Sequence, residues 1–135
     1  MKQEEKQLLL QDLCARLPYG VRIMFSSNGF RWDWEQTLDE IRQCEDGEYA
    51  INGWGIHGIK PYLRPMSSMT EEEKKEFYTF QYKFTLQTHE YQELNKETFS
   101  EYLDWLNKKM FDYRDLIPKG LALEAPDGMY NNKEE

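Results

Sequence analysis

Apolar positions along this chain recur with two different periods, and the switch between them divides it. In residues 3–17, Leu10, Leu13, Cys14 and Leu17 fall at i, i+3, i+4 and i+7, the spacing of one helical face. Pro18 has no N–H to continue the ladder and disfavours helical geometry at Leu17, so the helix is predicted to stop there, with Gly20 as a turn residue. From 21 to 60 the period becomes two. Val21, Ile23 and Phe25 alternate with polar or longer side chains, and Asn28-Gly29 is a strong hairpin signal. Phe30, Trp32 and Trp34 then alternate with Arg31 and Asp33. Residues 37–44 read as a helical turn or a strand. The hairpin before them and the turn-forming Asp46-Gly47 after them favour strand. Residues 48–51, the Asn52-Gly53 turn and residues 54–60 supply another pair. Four to five short, twisted antiparallel strands are expected.

Pro61 and Pro65 bracket an extended connector in which Tyr62, Leu63 and Met66 pack. Thr70 and Glu73 have the spacing of a capping box, and Glu71, Glu72 and Glu73 sit where a helix dipole favours negative charge. A helix is predicted from about residue 70. Further on, two periods compete. Phe77, Phe80 and Phe84 share a helical face, whereas Tyr78, Phe80, Tyr82, Phe84 and Leu86 alternate with polar residues. The reading is a helix to about residue 80 followed by a strand or extended segment, which makes His89 a loop residue. Phe99, Tyr102, Leu103, Leu106 and Met110 then mark a helix over 98–109, with Lys108 and Lys109 in its last turn. Residues 111–124 read as a turn and a short extended closing segment. The fold class is α+β: an N-terminal helix, a small antiparallel twisted sheet of four to five strands, then two helices. One domain spans 1–124, and 125–135 is a frayed C-terminal tail.

Composition changes this picture in two places. Aliphatic residues are sparse, with a single valine, but aromatics make up 15% of the 135 residues. Each buried aromatic ring covers about 150–250 Å², so the core is expected to be weighted towards aromatics. The net charge of -8 argues against broad binding to nucleic-acid backbone or anionic lipid, both of which need a positive surface. No apolar run approaches the ~20 residues that span a bilayer, so no membrane association is expected. The length excludes a two-domain enzyme with a separate cofactor domain. Cys14 and Cys44 match no metal spacing. Cys14, among leucines, reads as a small buried hydrophobe, and the pair reads as two free thiols. The first residues, MKQEEKQLLLQDL, are not a signal peptide, and a cytoplasmic protein is expected.

Three stretches together are familiar: KQLLLQDLCARLPYGV (6–21), IKPYLRPMSSMTEEEKKEF (59–77) and DWLNKKMFDYRDLIPKGLALEAPDGMY (104–130). On these the chain resembles a group of small uncharacterised proteins of Bacteroides-type gut bacteria, their prophages and mobile elements. The resemblance implies a phage or mobile-element context. It implies no activity, cofactor or catalytic residue.

The catalytic constellations are missing from the pattern. There is no GxSxG elbow, and the two histidines, His57 and His89, read as exposed or rim residues. Cysteines and histidines at 14, 44, 57 and 89 do not have zinc spacing. Asp33, Glu35, Asp39, Glu40, Glu45, Asp46 and Glu48 are abundant carboxylates without the EF-hand pattern. No catalytic residue, cofactor or metal is therefore assigned, and the chain is read as a non-enzyme. The candidate interaction residues are Trp32, Trp34, Trp54, Tyr62 and Arg64. The expected partner is another protein or a second copy. One alternative is a nucleic-acid-binding sheet face, using Lys60, Tyr62 and Arg64 with nearby aromatics. Another is an acidic decoy of nucleic acid built on residues 33–48. The competing structural reading is that Tyr62 packs on the sheet and Arg64 pairs with the acidic start of the helix.

Overall fold

A computed structural model describes residues 2–26, 33–91 and 96–130. Helix α1 (Gln3–Arg16) precedes strands β1 (Arg22–Ser26), β2 (Asp33–Thr37), β3 (Ile41–Gln43), β4 (Tyr49–Ile51), β5 (Trp54–Gly55) and β6 (Ile59–Leu63). Helices α2 (Glu71–Tyr91) and α3 (Lys96–Lys108) follow, and strand β7 (Leu123–Glu124) closes the chain. This is the α+β arrangement that the two periods imply. The strands form two small sheets, one ordered β2-β1-β6-β7 and the other β3-β4-β5. All pairs are antiparallel except β6 with β7. That pair is parallel because the two helices lie between its strands in the chain and supply the crossover such a pair needs. The Asn28-Gly29 turn and Trp32 lie outside the described residues.

Helix α1 buries a face one residue away from the expected one. Leu9, Asp12, Leu13 and Arg16 point inward, and Cys14 is exposed, as is Cys44; both are free thiols. Three successive leucines, Leu8 to Leu10, let either face serve as the apolar stripe. The choice is made by Asp12 and Arg16, which lie at i, i+4 and neutralise each other. Arg16 Nε donates to Asp12 Oδ2 at 3.0 Å, and Arg16 Nη2 donates to the Phe111 carbonyl at 2.6 Å. Arg114 Nη1 reaches the other Asp12 oxygen at 2.8 Å. The network joins the N-terminal helix to the segment that follows α3.

Residues 54–60 do not form one strand. A single 3-10 turn, Ile56–Gly58, separates β5 from β6. Ile56 and Ile59 are both 1% exposed. In a straight strand, residues three apart point to opposite faces, whereas a 3-10 turn brings them to one side. The expected connector, 61–65, is instead mostly central strand. Pro61 is tolerated there because it falls where β6 changes partner. The β1 ladder reaches Ile23↔Pro61 and the β7 ladder begins at Tyr62↔Leu123.

Helix α2 begins with the expected capping box: Glu73 N–H donates to Thr70 Oγ1 at 3.1 Å, and Thr70 N–H donates to Glu73 Oε1 at 2.9 Å. It then continues to Tyr91 rather than yielding to a strand near residue 80, so His89 lies on a helix and not in a loop. The period-two pattern arises from two helical faces that both carry rings. Phe77 and Phe80 meet Tyr102 and Trp105 of α3 at centroid distances of 5.3–6.2 Å. Tyr78 and Tyr82 face solvent, 63% and 65% exposed. Helix α3 ends as its pattern predicts, although Phe99 is 43% exposed. Leu9, Leu13, Val21, Ile23, Ile51, Ile59 and Leu63 form the centre of the core beneath both sheets. That cluster is aliphatic; of the rings, Phe111 is fully buried and Tyr62 nearly so, while Phe25 and Tyr130 pack against the cluster from partly buried positions.

Part of the expected tail is anchored. The β1–β6 ladder ends at Ile23↔Pro61, and just beyond it the Tyr130 hydroxyl bridges the backbones of Arg22 and Tyr62. It accepts from Arg22 N–H and donates to the Tyr62 carbonyl, each at 2.8 Å. Tyr130→Phe removes both of these bonds and is expected to cost about 1–2 kcal/mol in urea unfolding. Burial, opposed by the Arg22 N–H and the nearby Arg16 and Arg22 charges, pushes the Tyr130 phenol up from 10.0 to about 12. Between those pH values the unfolded chain loses this proton and the folded chain keeps it. Stability therefore falls as pH rises through that window, and Tyr130→Phe is expected to flatten the decline.

Candidate functional site

The surface feature that most resembles a binding site is a stack of three rings where the two sheets meet. Phe25 lies on β1 directly opposite Trp34 on β2, and Trp54 comes from β5 of the other sheet. Phe25 and Trp54 have ring centroids 4.3 Å apart, Trp34 and Trp54 5.4 Å, and Phe25 and Trp34 5.8 Å. The three planes lie within 26° of parallel. Phe25 also packs against the core, so the stack is rooted in the interior. Trp34 is 42% exposed and Trp54 39%. These are large apolar rings carried on paired strands and partly open to water, the combination found in interface anchors.

Two neighbouring residues hold the stack in place. Gly58 lies so close to β1 that an added Cβ would stand 2.8 Å from the Ser26 carbonyl oxygen and 3.0 Å from the Phe25 ring. Asn52 occupies the β4–β5 turn at φ +52° and ties that turn to the end of β2. Its Oδ1 accepts from Asp39 and Glu40 N–H at 2.7 and 3.0 Å, and its Nδ2 donates to Gln36 Oε1 and the Thr37 carbonyl. Asn52 thereby sets Trp54, two residues on, against the β1–β2 hairpin. It also brings the exposed Asp39 and Glu40 beside the turn that carries Trp54.

Of the sequence candidates, Trp34 and Trp54 come together, and Trp32 lies outside the described residues. Tyr62 and Arg64 belong elsewhere. Tyr62 is 8% exposed, on the strand between β1 and β7. Arg64 grips Glu73 with two bonds, Nη2 to Oε1 at 2.6 Å and Nη1 to Oε2 at 2.8 Å, and lies 4.3 Å over the Phe111 ring. Its guanidinium is spent on joining β6 to the start of α2, so neither residue offers a surface to a partner. Sequence reasoning missed Phe25 and Asn52 as parts of the site. Phe25 was legible as a strand residue, but its role depends on β5 meeting β1, a contact between sheets that no local pattern carries.

Burial acting alone would raise the Glu73 pKa. The bonds from Arg64 and the Thr70 N–H, with the charges of Arg64 and Lys109, outweigh it and hold the carboxyl below its ordinary 4.5. A lowered folded-state pKa means that this stabilisation is complete above 4.5 and is lost as pH falls through the lower folded value. Glu73→Gln is expected to be less stable at neutral pH and to lose less on acidification, as read from urea midpoints across an acid series.

His57 is exposed in the 3-10 turn and, among the described residues, makes no side-chain hydrogen bond. Among the described residues there is no group of three or more His, Cys, Asp or Glu placed to hold a metal ion. No helix among them is long and apolar enough to cross a membrane. Compared with family models, curated proteins and solved structures, the chain matches none of them.

Proposed function

We propose that this chain is a non-enzymatic accessory protein that acts by binding another protein through the Phe25–Trp34–Trp54 stack. The observation that carries this reading is the exposure of two tryptophans that paired strands hold stacked at the surface. Little ordering cost remains to be met when a partner covers them, and tryptophan is enriched among residues that dominate interface energetics. The phage or mobile-element context that the resemblance of three stretches implies, and a cytoplasmic location, form part of the same proposal. A nucleic-acid-binding sheet face has less support. Of its two cations, Lys60 is exposed but Arg64 is committed to Glu73, its aromatic Tyr62 is buried, and the chain's charge of -8 repels phosphate.

The test compares wild-type chain with the Trp34→Ser/Trp54→Ser variant as bait in extract of a Bacteroides-type host, after circular dichroism confirms equal folding. A partner retained by wild type and lost from the variant, cross-linked within β1, β2 or β5, supports the reading. Equal retention by both proteins contradicts it.

A further inference from the structure

We infer that the occupant of the ring stack is an arginine-bearing basic segment of another protein; this rests on the reading of the stack as a protein-binding surface. Charge decides the chemistry. Asp39 and Glu40 are exposed, and Asn52 holds their backbone beside the Trp54 turn. Neither carboxylate has an ion-pair partner among the described residues, whereas Glu35 is paired with Arg22 and Glu48 with Lys6. From residue 33 to 48, Arg42 is the one basic residue against seven acidic ones. An apolar segment would leave those carboxylates unmatched, and an acidic one would be repelled.

Arginine meets both halves of the surface. Its guanidinium is flat and weakly hydrated, so it extends a stack of near-parallel rings by cation–π contact. The same fork presents N–H donors to a neighbouring carboxylate in paired geometry. Lysine offers a compact, strongly hydrated charge and matches the rings less well.

The probe is a fluorescein-labelled peptide of alternating arginine and glycine, titrated with the full chain at low salt and followed by anisotropy. Matching lysine and glutamate peptides, a single-stranded DNA and a labelled copy of the chain form the comparison arms. The expected result is binding of the arginine peptide in preference to the other four. Trp54→Ser should weaken it about tenfold or more. Asp39→Asn/Glu40→Gln, whose changes are exposed and leave the fold intact, should weaken it roughly threefold at low salt and less at high salt. Absence of arginine-peptide binding, binding unaffected by Asp39→Asn/Glu40→Gln, or equal or tighter binding in any comparison arm overturns the inference. If the tryptophan-dependent host partner persists while the arginine peptide fails, the protein-binding reading stands and the basic occupant is wrong.

Discussion

Asp12→Ala is expected to destabilise the fold by about 3–5 kcal/mol, the cost of removing one member of a buried ion pair. Asp12 and Arg16 are both fully buried, and Asp12 also receives Arg114. Without the carboxylate, Arg16 keeps its charge in the interior with only the Phe111 carbonyl as acceptor. Its Nη1 already lacks a partner among the described residues. A domain of this size has about 5–15 kcal/mol to lose, so this one change uses a large share of it. Asp12→Ala/Arg16→Met removes the stranded charge and keeps most of the side-chain volume. It is expected to be more stable than Asp12→Ala alone, a non-additivity that marks charge burial rather than lost packing. Urea unfolding of the two variants beside wild type checks this. A loss below about 1 kcal/mol in Asp12→Ala would show that the pair is hydrated and does not hold α1 in place.

Gly58→Ala is expected to cost about 2–3 kcal/mol, an overpacking penalty, and to disorder the ring stack as well. An alanine Cβ would meet a backbone carbonyl oxygen, which cannot rotate away, together with the Phe25 ring. Either β1 moves away from the 3-10 turn or Phe25 leaves its place against Trp54. In both cases near-ultraviolet circular dichroism from the stacked indoles should change while the far-ultraviolet signal stays close to wild type. A Gly58→Ala protein with wild-type stability and an unaltered near-ultraviolet spectrum would mean that the turn has slack and that the glycine does not set the stack.

Much of the fold was legible in local pattern. The Thr70–Glu73 capping box placed the start of α2, and the apolar positions of α3 and β1 fell where their periods put them. Three features were hidden for different physical reasons. The inward face of α1 depends on a salt bridge whose third member, Arg114, is far along the chain. The reach of α2 was obscured because rings on both of its faces imitate strand alternation. The 3-10 turn at Ile56–Gly58 depends on two isoleucines needing the same core. For the candidate site, the tryptophans were visible as surplus aromatics, but their meeting with Phe25 is a product of two sheets packing together. Tyr62 and Arg64 stood among the candidate interaction residues, but the structure follows the competing reading of the same residues: Tyr62 packs within the sheet, and Arg64 pairs with the capping-box Glu73.

The most direct test of the ring stack as the binding surface is photo-cross-linking from two positions in the full chain. A photoreactive amino acid at exposed His57 lies on the turn beside Trp54 and leaves all three rings intact. One at Tyr78 occupies the competing aromatic face on α2. With the ring stack as the binding surface, host extract yields a protein adduct from position 57 that disappears when Trp34→Ser/Trp54→Ser is added, with none from position 78. An adduct from position 78 and none from position 57 would contradict it.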